Sequence, residues 1–197
     1  MTMNTTKSPE ARRSARQRLL DAADELFYEG SIHTVGIDRV IERAGVAKAS
    51  LYDTFGSKEA LIQAYLLARH EARKLRIADR LADYPGPRER LLGVFDIMRE
   101  TASSPRFRGC PFSRAAAEAA PSAGIREACD TARRWLRDLF TSLAREAGAS
   151  DPEALACQLM LLYDGASVSA HVDDNASAAA AARATAEQLV EQAFAVR

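Results

Sequence analysis

Residues 37–61, IDRVIERAGVAKASLYDTFGSKEAL, restrict the folding options of this chain more than any other stretch. Ile37, Val40, Ile41 and Ala44 recur at i, i+3, i+4 and i+7, the spacing of one buried face of a short helix. Gly45 ends it, because glycine takes the left-handed backbone of a tight helix-to-helix turn, and Val46 behind it plugs the angle between two helices. A second helix is predicted over Lys48 to Phe55, with Leu51 and Phe55 inward. Gly56 stops it and Ser57 caps a third, whose first turn carries Lys58.

This leaves Lys48, Ala49, Ser50, Tyr52 and Thr54 outward on the second helix. The set suits DNA. A lysine near a helix start reaches phosphate, serine and threonine bond base edges or phosphate, and tyrosine adds ring contact to a phosphate-bonding hydroxyl. Lys58 sits where helix dipole and ammonium both favour a phosphate.

The run AGVAKASLYDTFGSKEAL resembles the tetracycline-repressor (TetR) family of bacterial transcription regulators: a small residue, Gly and Val, then Leu-Tyr, a Phe, and Ser-Lys-Glu-x-Leu. The resemblance is specific over the first third of the chain and general beyond it. It implies an all-α protein: an N-terminal three-helix helix-turn-helix DNA-binding domain, and a larger C-terminal helical ligand-binding and dimerisation domain. The candidate DNA contacts are Gly36, Lys48, Ala49, Ser50, Tyr52, Thr54 and Lys58. Three positions depart from the family. Ala47 and Gly36 stand where a hydroxyl residue commonly caps a helix, and Asp53 where a DNA-compatible side chain is frequent. A carboxylate repels phosphate, so Asp53 is expected to turn away.

Bulk charge gives no hint of a partner, since 27 Lys and Arg balance 27 Asp and Glu. The distribution does: Lys7, Arg12, Arg13, Arg16 and Arg18 oppose Glu10 alone, a run that by itself reads as a solvated tail but, placed just before a helix-turn-helix, resembles an arm laid along phosphates or into the minor groove. The expected organisation is a flexible basic arm over 1–10, a DNA-binding domain over 11–60, a link helix over 58–82, and a helical ligand and dimer domain over 61–197. No apolar stretch is long enough to span a membrane and the N-terminus lacks the apolar core of a signal peptide, so a cytoplasmic protein is expected. Cys110, Cys129 and Cys157 are widely spaced, without metal-ligand partners, and read as reduced, mostly buried thiols. Neither cofactor nor metal is implied.

Helix one is predicted from Ala11 to Glu29, with Leu19, Ala22, Ala23, Leu26 and Phe27 on one face, and Ile32 and Val35 closing the loop that also holds His33. The third helix continues through Ala64, Tyr65 and Ala68 to about Ala82, with Arg69, Glu71, Arg73, Lys74, Arg76, Asp79 and Arg80 read as a solvated face. Asp83-Tyr84-Pro85-Gly86-Pro87 is the clearest break. All later patterns are helical: one through Leu91, Val94, Phe95, Met98 and Ala102; a short helix from Phe112 to Ala120 ended by Pro121; one from Ile125 to about Ala147; one opened by Asp151-Pro152 and carried to about His171; and one from Ala176 to Val196 with Leu189, Val190 and Phe194 inward. The last two are rich in small residues: Gly165, Ala166, Ser167, Ser169, Ala170 and the alanines from Ala178 to Ala182. By the resemblance they form a four-helix interface with their twofold mates.

A homodimer reads double-stranded DNA as a palindromic operator, and a small-molecule effector favouring one spacing of the two reading heads shifts affinity through the link helix. The resemblance implies repression with effector-induced release as the expected mode, with activation or a co-repressor as the alternatives. Phe95, Met98, Phe107, Phe112, Trp135 and Tyr163 are the large apolar residues of the second domain, for each of which core packing is the default role; Phe95, Met98, Phe112, Trp135 and Tyr163 are candidate ligand contacts and would admit an apolar or aromatic effector, with charges too scattered to name a counter-group. Cys110, before Pro111 and near Arg106, Arg108 and Arg114, is a further candidate ligand contact and a candidate electrophile or oxidant sensor, set against a small inert thiol. Two other classes compete with this reading. An all-α interaction protein without DNA binding is supported by Ala47, Gly36 and Asp53. A thiol-dependent enzyme built on Cys110 and His171 lacks any local signature, and no enzyme is expected.

Overall fold

The computed structural model describes residues 13–118, 122–173 and 177–195; the expected arm over 1–10, the helix start at Ala11, Arg12, Pro121 and Val196 lie outside them. Nine α-helices and no strand occur among the described residues: α1 Ala15–Glu29, α2 Ile37–Ala44, α3 Lys48–Phe55, α4 Lys58–Leu81, α5 Pro87–Ala102, α6 Pro111–Ala117, α7 Ala123–Glu146, α8 Pro152–Val172 and α9 Ala178–Ala195.

Their ends follow from side chains that satisfy the free N–H groups of a first turn. Ser14 accepts from the Gln17 N–H, Ser57 from Ala60, Ser122 from Ile125 and Asp151 from Ala154. Proline occupies the first turn of α5, α6 and α8, where its missing N–H costs nothing. Gly36 and Ala47 open α2 and α3 with no side-chain cap, as the residue types require. Gly45 adopts φ 61° in the turn between α2 and α3, a left-handed backbone that a side chain would strain.

Two buried clusters organise the chain. One joins Leu19, Phe27, Val40 and Leu51 of α1–α3 to Leu61, Tyr65 and Leu66 of α4, and continues into Phe112 and Ala115 of α6 and Ile125, Ala128 and Ala132 of α7. The core of α1–α3 is therefore not closed on itself but continues into the helical body. The second holds Ile77 and Leu81 with α5, the rest of α7, α8 and α9, around Phe95, Phe140 and Leu159.

Four expectations are corrected. Ala68 is exposed, and the inward face of α4 passes through Leu66 and His70 instead. The α4 charges are not one solvated face: Arg69 and Arg73 are half-buried and tied to other helices. The thiols are not uniformly buried: Cys129 is buried, Cys110 half-buried and Cys157 exposed. The small residues of α8 do not all face outward, since Ala166, Ser167 and Ala170 pack inside the protomer. The outward stripe is Cys157, Leu161, Gly165, Val168 and Val172, with Leu161 67%, Val168 55% and Val172 72% exposed. No helix among the described residues is long and apolar enough to cross a membrane.

Candidate nucleic-acid interface and adjoining cavity

The reading helix α3 is anchored by Leu51, which is wholly buried, and by Phe55, which packs half-buried against the same cluster with the Arg16 guanidinium 5.7 Å from its ring. That anchoring leaves Lys48, Ala49, Tyr52, Asp53 and Thr54 exposed and Ser50 half-buried. Tyr52 is 45% exposed, a large ring left uncovered on this face. Asp53 stays solvent-facing on this helix. Thr54 donates its hydroxyl proton to the Ser50 carbonyl at 2.6 Å, so only its lone pairs are left for a partner. The α2–α3 turn is fixed from behind, where Arg18 of α1 donates to the Gly45 carbonyl at 2.9 Å.

Two lysines flank α3. Lys58, on the first turn of α4, lies 3.4 Å from the His33 carbonyl, which ties the loop before α2 to the start of α4. Lys48 is held by Asp38 of α2 at 3.0 Å, with both side chains exposed. The hydrogen bond to Asp38, then its negative charge, push the Lys48 ammonium above its ordinary value. Sequence reasoning had not singled out Asp38, because the pair spans two helices and no period within one helix reveals it. Gly36 places only backbone at the α2 start, with open space where a side chain would stand.

Behind the reading head lies a cavity of about 300 Å³. Met98, Cys110, Phe112 and Tyr163, four of the candidate ligand residues, line it. Phe95 and Trp135 do not: Phe95 is fully buried with its ring 5.8 Å from Phe140, and Trp135 packs with its ring 5.7 Å from His70. Phe107, Ser167 and the α4 arginines complete the wall. Arg69, Arg73 and Arg76 follow at i, i+4 and i+7, so they share one face of α4, and this period was the legible signal that they act together. Charge around the cavity is thus organised rather than scattered. Arg69 grips Asp24 of α1 through two hydrogen bonds of 2.5 and 3.1 Å and lies 3.6 Å from the Tyr28 ring centroid. Burial holds the Tyr163 hydroxyl above its ordinary pKa, against the opposing effect of Arg73.

Asp24 and Tyr28 belong to the reading head, yet both line this cavity. The Tyr28 hydroxyl donates to the Gly109 carbonyl at 3.3 Å and accepts from the Arg108 N–H at 3.1 Å. Arg114 donates to the carbonyls of Tyr28 and Gly30, and Ser31 donates to Glu118 at 2.6 Å. These bonds engage the cations expected to activate Cys110. Arg114 and Arg108 bond backbone carbonyls and Arg106 pairs with Glu29, while Cys110 itself sits at the cap of α6. Among the described residues no group of His, Cys, Asp and Glu could hold a metal ion.

A glycine-turned helix pair with an uncovered polar second helix, joined to a helical body with a cavity, defines a helix-turn-helix regulator. The model of the tetR family of bacterial regulatory proteins matches residues 19–65, spanning α1 to the first part of α4. Across the whole chain, the crystal structure of a TetR-family transcriptional regulator from Streptomyces coelicolor superposes with a TM-score of 0.85 at 31% identity, covering 91% of this chain and 95% of that one. The transcriptional regulator LmrA of Bacillus subtilis is 27% identical over 143 residues, 71% of this chain and 76% of that protein. An HTH-type regulator of Mycobacterium tuberculosis is 41% identical over 80 residues, so the match spans 40% of this chain and only 39% of that protein. The chain belongs to the TetR family of DNA-binding transcriptional regulators, and is a regulator rather than an enzyme.

Proposed function

We propose that the protein is a homodimeric repressor, released from a palindromic operator when a small effector with an apolar or aromatic body enters the cavity behind its reading head. The observation that carries this reading is the shared wall: Asp24 and Tyr28 of α1 line the same cavity as Met98 and Tyr163. An occupant there touches the DNA-binding unit and the helical body at once, so it has the means to favour one arrangement of the two over the other. Lys48, Ala49, Ser50, Tyr52, Thr54 and Lys58, with the bare backbone at Gly36, form the DNA-facing set.

The dimer reading is supported by the outward stripe of α8. Leu161, Val168 and Val172 are large apolar side chains on one exposed face, and Gly165 between them leaves room for a close helix approach. On α9, Ala180, Ala181 and Ala184 are exposed as well, extending the small-residue surface. A twofold pairing across these helices supplies the second reading head that a palindrome needs.

The test is selection of bound duplexes from a random pool by the purified protein at about 0.15 M salt, followed by a screen of small molecules for release. The expected result is a palindrome with half-sites about one helical turn apart and at least one compound that releases it. Enrichment of a single half-site would overturn the dimer. Operator binding that only strengthens with cavity ligands would overturn repression by release.

A further inference from the structure

The cavity carries an unbalanced positive charge. Arg69 and Asp24 cancel one another in their two-bond pair, and Asp24 is the sole carboxylate in the wall. Arg73 and Arg76, one and two turns further along α4, have no such counter-charge. Arg73 donates to the Ala132 carbonyl at 2.7 Å and lies over the Phe112 ring at 4.6 Å, yet its Nε is buried without a partner. Arg76 forms no hydrogen bond or ion pair among the described residues. The adjoining cavity on the Tyr163 side carries Asp130 and Asp164, and Arg133 already binds Asp164 at 2.6 Å.

Two hydroxyls stand in the same wall. Ser167 of α8 is only 6% exposed and makes no hydrogen bond among the described residues, and the Tyr163 hydroxyl, one turn earlier, makes none either. Val94, Ile97, Met98 and Phe112 supply an apolar surface to the same space. Two guanidinium groups and two free hydroxyls beside an apolar surface match one kind of molecule. A cation would meet two like charges, and a wholly apolar ligand would take the Arg73 and Arg76 guanidinium groups further from water without a counter-charge. A planar carboxylate answers both, since guanidinium groups recognise it through paired, charge-assisted hydrogen bonds.

We propose that the effector is a small organic carboxylate with an apolar or aromatic body, its acid group held between Arg73 and Arg76 with help from Tyr163 and Ser167, and its body against Val94, Ile97, Met98 and Phe112. The proposal rests on the effector reading above and adds the charge and polarity of the ligand. A cavity of about 300 Å³ lies at the small end of ligand sites and suits one compact ring system.

Three probes that share a ring and differ in charge decide it: 1-naphthoate, 1-naphthalenemethanol and 1-naphthylmethylamine, titrated calorimetrically into the full-length protein. The carboxylate is expected to bind at least about tenfold more tightly than the alcohol, as charge-assisted bonds warrant, and the amine to bind weakest. Arg76→Gln, at an exposed position that the fold does not need, should remove most of that preference while leaving alcohol binding unchanged. Arg73→Gln should do the same, with circular dichroism reporting whether its bond to Ala132 is needed for folding. Equal binding of carboxylate and alcohol, or a preference that survives both substitutions, would overturn the carboxylate assignment and leave the effector site standing. No binding of any probe would overturn both.

Discussion

The ion pair between Lys48 and Asp38 makes a prediction with an unusual sign: removing a charge from the reading head should tighten DNA binding. The two side chains meet at 3.0 Å on the exposed side of α2 and α3, so before DNA arrives the Lys48 ammonium already has a carboxylate counter-ion. On binding, Lys48 exchanges that carboxylate for phosphate, and Asp38 is left close to the polyanion. Asp38→Asn keeps shape and hydrogen-bonding capacity and deletes the competing charge. In the proposed dimer the change occurs twice. Each added phosphate neutralisation steepens the slope of log K against log salt by ~0.9 on duplex DNA, so the variant should gain a slope of up to about 1.8. Between 50 and 200 mM salt, a fourfold range, that limit makes the ratio of affinities grow by up to roughly twelvefold. Fluorescence anisotropy on the selected operator across that range reads it directly. Lys48→Ala should lose less slope in the parent than in the Asp38→Asn background, because the parent lysine is partly neutralised. An unchanged slope in Asp38→Asn, or weaker binding at every salt concentration, would refute the reasoning and remove Lys48 from the phosphate contacts.

Leu161→Asp places a charge on the apolar α8 stripe at a position 67% exposed in the protomer, so it should convert dimer to monomer in sedimentation without loss of helical signal; a variant that sedimented as the parent would move the dimer surface elsewhere. Burial raises the Cys129 thiol to about 11, with Cys110 and Asp130 adding to the shift, whereas Cys157 is exposed. Only the thiolate reacts, so at pH 8 maleimide should modify Cys157 first, with Cys129 the slowest of the three until denaturant is added, as peptide mass spectrometry would show. The same shift favours the folded state while Cys129 is protonated and is lost as pH rises from the ordinary thiol value of 9 through about 11. Early modification of Cys129 in the native protein would contradict its packing against the Phe112 carbonyl at 3.4 Å.

The helix-turn-helix was legible because its signals are local. The spacing of Ile37, Val40, Ile41 and Ala44, the glycine turn and the Ser57 cap each act within a few residues, and the observed bounds of α2 and α3 follow from them. The cavity was legible only in part. Met98, Phe112 and Tyr163 are large residues on amphipathic helices, but whether such a residue fills a core or lines a void depends on what faces it across the fold. Phe95 and Trp135 look the same in the sequence, and partners Phe140 and His70, 45 and 65 residues away in the chain, enclose them. The α4 arginines were misread for a related reason. A charged run on a helix is most often solvated, and what removes Arg69 and Arg73 from water is a carboxylate on α1 and a carbonyl on α7. The i, i+4, i+7 period was visible, and the partners were not.

Those distant partners also change how an occupant of the cavity can reach the DNA. A link helix alone would carry the effect along its own axis from Arg73 and Arg76 to Lys58. The α1 contacts open a second and shorter route. The Tyr28 hydroxyl is bonded to the backbone of the adjacent residues Arg108 and Gly109 in the loop before α6, and Arg114 holds the last turn of α1 to α6. Any ligand that shifts Phe112 or Gly109 therefore acts on α1 without passing through α4. At its other end α1 carries Arg18, whose bond to the Gly45 carbonyl fixes the turn that sets α3 against α2. In the proposed mechanism the two routes would meet α3 at its two ends, since α4 follows its C-terminus and the Gly45 turn precedes its N-terminus. A ligand held by α4 cations and resting on α6 engages both at once, and only a differential affinity for the two arrangements of that frame can alter operator affinity. In that proposal the Arg69–Asp24 bridge, which joins α4 to α1 in the cavity wall, would keep the two routes in step.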